Sequence, residues 1–270
     1  SANGIIIANS GQILSITGTV DDVSGNPETT ISGFDTAIDN SAGGTVNLTN
    51  IELSGNETDI ANAGSLNLDG INSIDTIADN TTPAGTTTVK GGTSAIGSLL
   101  QKAVKILSGG TVNIDADKLS TTDGTDNQGI LNLGGGNLAS NITDSQTTKT
   151  GVTNIKDDVT NSSGKTISQK SVTIDSSSSL TTAADKVTTA DGISNAGKLN
   201  LTGGSLASDV IGEGTTNISG DVDTNGKTIT QTDVNIGQNG SGAATTGKLI
   251  NNNTISATNV NITTAGALDN

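Results

Sequence analysis

The sequence predicts an all-β protein, a parallel β-helix (β-solenoid) of roughly a dozen coils formed by residues 1–270 as a single repeat domain. Three observations predict it: short apolar triplets recur along the chain, Gly and small polar residues separate them, and aromatic residues are nearly absent. An ordinary domain of this size buries several aromatic side chains, whereas Phe34 is the one aromatic residue here. We therefore expect a thin core of Ile, Leu, Val and Ala.

A phrase of three apolar triplets recurs, and within one phrase the triplets fall about 17 to 27 residues apart. Copies of the first triplet are Val46-Asn47-Leu48, Val112-Asn113-Ile114, Val172-Thr173-Ile174 and Val234-Asn235-Ile236. Copies of the second, each preceded by a Gly, are Leu66-Asn67-Leu68, Leu131-Asn132-Leu133 and Leu199-Asn200-Leu201. The third is a Thr-rich segment that ends at Val89, Ile155 and Ile218.

Each triplet alternates with period two, which predicts a strand with two side chains inside and the middle one outside. Turn residues such as Asn195-Ala196-Gly197 and Asn225-Gly226 separate the strands, because positive φ costs least at Gly and Asn. Strands this short are not stable as isolated hairpins. A coil of about 20 residues can instead stack on the preceding coil with a rise of ~4.8 Å, which gives a parallel solenoid.

One segment fits two structures. In residues 94–107 the apolar side chains are spaced as in an amphipathic helix. The alternative is that Ala103 to Leu107 form another coil strand that leads into the triplet at Val112. We favour the strand.

The missing residue types exclude most site chemistry. With no His, Cys, Tyr or Arg, the chain has no Ser-His-Asp triad, no Cys-His pair and no imidazole or thiolate metal ligand. A net charge of −15 makes nucleic acid an improbable partner. No apolar run reaches the roughly 20 residues that cross a bilayer, so no membrane insertion is expected. We predict that the chain is not an enzyme and needs no cofactor.

Carboxylates leave two alternatives to consider. The 27 acidic residues could include a catalytic pair, so a carbohydrate-active β-helix enzyme is an alternative function. Asp221 to Gly226 match the first half of a calcium-binding loop, but Thr232 stands where that loop needs Glu. We interpret the segment as an Asn-Gly corner and predict no metal site. Asp21, Asp22, Asp123 and Asp126 are calcium candidates of similar weakness.

Asparagine is the usual middle residue of the triplets, at positions Asn47, Asn67, Asn113, Asn132, Asn200, Asn235 and Asn261. Stacked coils would bring some of these side chains into rows, where amides hydrogen-bond along the axis. Such a row could dock a neighbour, and the alternative is an ordinary solvated strand face. A flat Thr/Asn face could also order water, so ice binding is a further alternative, although the variable spacing of 17 to 27 residues argues against it.

Several phrases carry a family resemblance: AGKLNLTGG, GTTNISGDV, NGKTITQTDVNI and SSSSLTTAADKVT. They resemble the degenerate repeats in passenger domains of bacterial autotransporters and related large adhesins, with filamentous haemagglutinin a looser match. The resemblance implies a secreted β-helix on the bacterial cell surface that serves adhesion, aggregation or biofilm formation. Its partners would be other copies of itself, through end-to-end or lateral contact, or a glycan or protein of the host or the envelope.

Binding, where it occurs, is expected on inserted loops such as Asp144 to Lys149 or Glu213 to Thr216. Residues 4–8 and the triplet Val260-Asn261-Ile262 are still strand-like. Two expectations fit that pattern equally: the chain is part of a longer passenger, or copies stack end to end into a filament.

Overall fold

The computed structural model describes residues 3–79 and 83–270. It confirms the all-β prediction: parallel strands stack as a β-solenoid of about 12 turns. Unit 1 comprises Ser1–Asn132 with Ala139–Asn141, and unit 2 comprises Leu133–Leu138 with Ile142–Asn270. The part of the chain described contains no helix that is long and apolar enough to cross a bilayer.

The strands are short, as the triplets predict. Those up to residue 127 are β1 (Asn3–Ile7), β2 (Ile13–Thr17), β3 (Thr29–Ile31), β4 (Thr36–Asn40), β5 (Thr45–Thr49), β6 (Ile51–Leu53), β7 (Thr58–Asn62), β8 (Ser65–Asp69), β9 (Asn72–Ala78), β10 (Thr86–Val89), β11 (Gly92–Gln101), β12 (Ala103–Ile106), β13 (Gly110–Asp115), β14 (Leu119–Thr121) and β15 (Thr125–Asn127). Strand β16 (Ile130–Gly134) follows.

The remaining strands are β17 (Gly136–Asn137), β18 (Ile142–Thr143), β19 (Val152–Ile155), β20 (Val159–Thr160), β21 (Ile167–Gln169), β22 (Ser171–Ile174), β23 (Ser179–Thr182), β24 (Val187–Thr189), β25 (Ile193–Asn195), β26 (Lys198–Leu201), β27 (Gly204–Ser205), β28 (Val210–Ile211), β29 (Thr215–Ile218), β30 (Val222–Asp223), β31 (Ile229–Ile236), β32 (Lys248–Ile250), β33 (Ile255–Ile262) and β34 (Ala267–Asp269). A 3₁₀ turn, Ala184–Lys186, lies between β23 and β24.

Unit 1 is built from three parallel ladders. The first runs β2-β5-β8-β10-β12-β15. The second runs β1-β4-β7-β9-β11-β14. The third runs β3-β6-β9-β11-β13, so β9 and β11 each serve two ladders.

Unit 2 repeats this plan. One ladder runs β19-β22-β25-β28-β31-β33, and a second runs β17-β20-β23-β26-β29-β31-β33. The third face holds β18-β21-β24 and then β27-β30-β32-β34. Strands β31 and β33 serve two ladders each, as β9 and β11 do in unit 1.

The triplets of the first phrase stack directly on one another. In the first phrase β5, β8 and β10 pair in register, so that Leu48, Leu68 and Val89 lie above one another. The next phrase does not continue this column: β12 stacks on β10 and ends at Ile106, while Ile114 lies on β13 in another ladder. The later phrases behave differently, because Ile174 on β22 lies in register with Ile155 of the preceding phrase, and Ile236 on β31 with Ile218.

The period-two prediction is confirmed in the core. Val46 and Leu48 are fully buried on either side of the half-buried Asn47, and Leu66 and Leu68 flank Asn67 in the same way. The solenoid corners are so tight that a Cβ on Gly64 would collide with the carbonyl oxygen of Gly44. Backbone packing of this kind explains the Gly that precedes the second triplet.

Three local predictions have clear outcomes. Residues 94–107 are not helical, because β11 and β12 occupy them, which confirms the strand. Asn225 and Gly226 form the predicted turn with φ of 51° and 76°. The turn assigned to Asn195-Ala196-Gly197 was wrong in part: Asn195 is the last residue of β25, is fully buried and does not have positive φ.

Candidate functional site

The outward asparagines form hydrogen-bonded columns, as predicted. In unit 1 Asn67 Nδ2 donates to Asn47 Oδ1 at 2.9 Å, and Asn47 Nδ2 donates to Ser15 Oγ at 3.1 Å. We call these three residues the open column. A second pair in the same unit joins Asn132 Nδ2 to Asn113 Oδ1 at 2.6 Å. The amides therefore link successive turns outside the core.

Unit 2 carries the longest column, which we call the covered column: Thr181, Asn200, Asn217, Asn235 and Asn261. Asn200 Nδ2 donates to Thr181 Oγ1 at 3.0 Å, and the three later amides each donate to the Oδ1 of the asparagine one turn before at 2.8 Å. The column has one direction, since every amide N–H points toward the preceding turn.

Beside the covered column lies a flanking column of mixed charge: Ser179, Lys198, Thr215, Asp233 and Asn259. Asn259 Nδ2 donates to Asp233 Oδ1 at 2.8 Å. Lys198 is exposed and has no ion-pair partner among the residues that the structure describes. The flanking column itself thus carries one cation, Lys198, and one anion, Asp233, two turns apart.

A loop of residues 237–247 lies over this face, and we call it the strap. Within it Asn239 N donates to Ala243 O at 3.0 Å, Thr245 N donates to Gly237 O at 2.6 Å, and Gln238 pairs with Ala244 as an antiparallel bridge. A Cβ on Gly240 would lie 2.5 Å from Asn200 Nδ2, so any other residue at this position would displace either the Asn200 amide or the strap.

The strap explains why the covered column is not an ordinary solvated face. Asn200 and Asn217 are only 5% and 4% exposed, whereas Asn235 is half-buried and Asn261 is exposed. The alternative of a fully solvated face was therefore wrong for Asn200 and Asn217. In unit 1 Asn47 and Asn67 stay half-buried.

Two shallow polar depressions lie on this face, and each includes one strap residue. One of about 360 Å³ is lined by Asp158, residues 176–179, Lys198 and Gly240. The other, of about 480 Å³, is lined by Asp233, Asn235, Gln238, Asn261, Ile262 and Thr263. Hydroxyls, amides and single charges dominate both, which suits hydrogen-bonding partners rather than apolar ones.

The carboxylates considered for calcium are engaged in turns or ion pairs. Asp223 Oδ1 accepts from Asn225 N at 2.7 Å inside the Asn-Gly corner. Asp126 lies 3.6 Å from Lys105 Nζ, and Asp123 lies 3.8 Å from Lys102 Nζ. Among the described residues, no group of three or more acidic, His or Cys side chains could hold a metal ion.

Asp21 is the last of these candidates, and it orders its own loop. Its Oδ1 accepts the backbone N–H of Val23 at 2.7 Å and that of Ser24 at 3.4 Å. These hydrogen bonds lower the pKa of the Asp21 carboxyl. Asp22 beside it is exposed.

The two loops expected to bind partners differ in the structure. Asp144 is 4% exposed, and its Oδ2 accepts from Thr150 N at 2.6 Å and Gly151 N at 2.8 Å. Burial acts to raise the pKa of Asp144, but the hydrogen bonds from Gly151, Gln146 and Thr150 outweigh it and lower the pKa. The buried Asp144 carboxylate therefore holds the loop of residues 144–151 in place through hydrogen bonds to its backbone. The second prediction was wrong in part, since Thr216 is fully buried in β29.

Sequence reasoning missed a set of amides that point inward at the corners. Asn195 Nδ2 donates to Gln231 Oε1 at 2.5 Å, and Thr216 Oγ1 donates to the same oxygen at 3.4 Å. Unit 1 has the same arrangement, in which Asn62 and Thr87 both donate to Gln101 Oε1. The missed signal is the phrase Ile-x-Asn-Ala-Gly, which occurs at residues 60–64 and 193–197.

No protein-family model, no curated protein and no solved structure matches this chain.

Proposed function

We propose that the chain is a non-catalytic segment of a bacterial extracellular fibre that gives length and presents polar faces for adhesion or aggregation. One observation carries the proposal: the outward side chains of the open column form hydrogen bonds along stacked parallel turns. Such columns repeat at ~4.8 Å and offer a partner a regular array of donors and acceptors. The resemblance to autotransporter passenger repeats supports the same role.

The turns combine constant stacking with variable loops. Paired positions are 17 residues apart from Thr87 to Val104 and 32 apart from Leu14 to Val46, yet each pair lies in direct register. Loops can therefore change without disturbing the ladders. Ion pairs such as Lys156 to Asp175, at 3.0 Å, join successive turns on the surface. A scaffold of this kind suits a long surface structure.

The proposed partners are another copy of the chain or a glycan of the host or envelope. The test couples the purified chain to beads and measures their attachment under flow to surfaces that carry glycans or the chain itself. The variant N47D/N67D places two negative charges on the open column and should reduce attachment. The matched control, N9D/N26D, alters two exposed amides of the same unit that lie outside the column.

Three results would contradict this proposal. Beads that attach to no surface would exclude an adhesive role. Release of reducing sugars from an added polysaccharide would favour the enzyme alternative. A gap between the melting and freezing temperatures of ice in the presence of the chain would favour ice binding.

A further inference from the structure

The covered column is complementary to itself. An asparagine side chain has two N–H donors and an oxygen with two lone pairs, and the column uses one donor and one lone pair of Asn217 and Asn235. The remaining donor and lone pair of each amide are the groups that a second amide column needs. Two identical columns placed face to face could thus pair, as asparagine ladders do in stacked β-structures.

The charges of the flanking column are also self-complementary. Lys198, Thr215 and Asp233 are neighbours on three consecutive turns. A two-fold axis that runs along the strands at the level of Thr215 reverses the order of the turns in the second copy. Lys198 of each copy then faces Asp233 of the other, and Asn217 faces Asn217.

We infer that this face of unit 2 is a docking surface for the same face of a second copy, and that the strap closes it. The strap lies over the centre of the two-fold arrangement, because Gly240 approaches Asn200 and the neighbouring Asn217 is 4% exposed. With the strap in place, two columns cannot reach hydrogen-bonding distance. This inference does not depend on the proposed adhesive role, and it concerns a different column from the open one.

The size of the face sets the expected strength. Five strands, β23, β26, β29, β31 and β33, span about 20 Å at ~4.8 Å per strand. The four-residue strands make the face about 13 Å wide, so it covers about 260 Å², less than the roughly 800 Å² per partner that stable complexes bury. We therefore expect a weak dimer in fast exchange, which a loop can block completely.

The direct test removes the strap. Deletion of Gln238 to Ala244 joins Gly237 to Thr245, which are already hydrogen-bonded. The shortened turn has 19 residues between Val234 and Val260, the same as between Leu180 and Leu199. Sedimentation velocity over a concentration series should show a monomer for the intact chain and a monomer–dimer equilibrium for the shortened one. Far-UV circular dichroism checks that both are folded.

Charge variants in the shortened chain test the arrangement itself. K198D sets two pairs of like charges against each other and should weaken the dimer about tenfold or more. The double variant K198D/D233K restores opposite charges and should restore the dimer. The matched control is K90D, which makes the same change of charge at an exposed lysine of unit 1.

A point substitution in the strap provides a second test, which is needed in case the deletion variant does not fold. G240A adds a Cβ at 2.5 Å from Asn200 Nδ2 and should lift the strap. The matched control is G135A in the same unit, whose added Cβ would come no closer than 3.4 Å to a neighbouring atom. A folded shortened chain that stays monomeric overturns the inference, as does a dimer that K198D leaves unchanged. If the deletion unfolds, a monomeric G240A overturns it.

Discussion

Asparagine and glutamine occupy two kinds of position in this molecule, and their surroundings are opposite. At the inner corners Asn195 and Gln231 are 0% and 4% exposed, and Gln231 Nε2 donates to the carbonyl oxygens of Gly212 and Thr230 as well as bonding Asn195. On the outer face Asn47 and Asn67 are half-buried and bond along their column. The same amide group thus satisfies buried carbonyl oxygens at the edge of the core in one place and forms hydrogen bonds on the protein surface in the other.

The difference shows that strand position decides the role of an amide. An asparagine in the middle of an apolar triplet points outward, because its two neighbours take the inner positions. An asparagine two residues after the inward Ile193 points inward again, at the corner where the chain turns and backbone carbonyls need donors. Inner amides should therefore contribute far more to stability than outer ones, and three predictions examine this contrast.

The largest effect is expected from Q231L. The substitution removes the donor to three carbonyl oxygens, of Asn195, Gly212 and Thr230, and the acceptor of Asn195 Nδ2. Buried polar groups left without partners cost about 1 to 3 kcal/mol, so we expect a loss of about 2 to 4 kcal/mol in unfolding free energy. Urea denaturation followed by circular dichroism measures it.

The matched control for Q231L is Q238L in the strap. Gln238 is half-buried and its Nε2 donates to Gly242 O at 2.9 Å on the surface. We expect this change to cost less than about 1 kcal/mol. Equal losses of unfolding free energy in the two variants would show that an inner amide contributes no more to stability than a surface amide.

An intermediate effect is expected from D144N, which tests an inward-facing carboxylate. Near neutral pH the variant should lose about 2 kcal/mol, because charged hydrogen bonds to the N–H groups of Thr150 and Gly151 are replaced by an amide of mixed polarity. The lowered pKa of Asp144 means that its contribution is present above the ordinary value of 3.8 and fades as the pH falls through the folded-state pKa.

The gap in unfolding free energy between wild type and D144N should thus narrow below pH 3.8. Urea titrations at neutral and at acidic pH measure that gap. D191N serves as the control, since Asp191 is exposed and lies 3.8 Å from Lys170 Nζ. A gap that is constant with pH would assign the loss to packing instead of charge.

The fold could be predicted from the sequence because each triplet carries the information locally. In Val46-Asn47-Leu48 the alternation of apolar and polar residues indicates a strand, with Val46 and Leu48 on its inner face and Asn47 on its outer face. The inner amides could not be predicted, since the hydrogen-bond partners of Asn195, which are Thr215 O and Gln231 Oε1, lie 20 and 36 residues away in the chain. The strap was missed for a similar reason. Nothing in residues 237–247 shows that they fold back over Asn200, a contact set by tertiary packing.

The smallest effect is expected from N67A in the open column. The change removes a half-exposed hydrogen bond of 2.9 Å to Asn47 and should cost about 0.5 kcal/mol. Combining it with N47A sharpens the comparison. If the column acts as a cooperative chain, removing both amides costs less than the sum of the single losses, because each change already breaks the shared bond. Additive losses in urea titrations would mean that water replaces each amide independently, and the outer columns would then serve partners and not the fold.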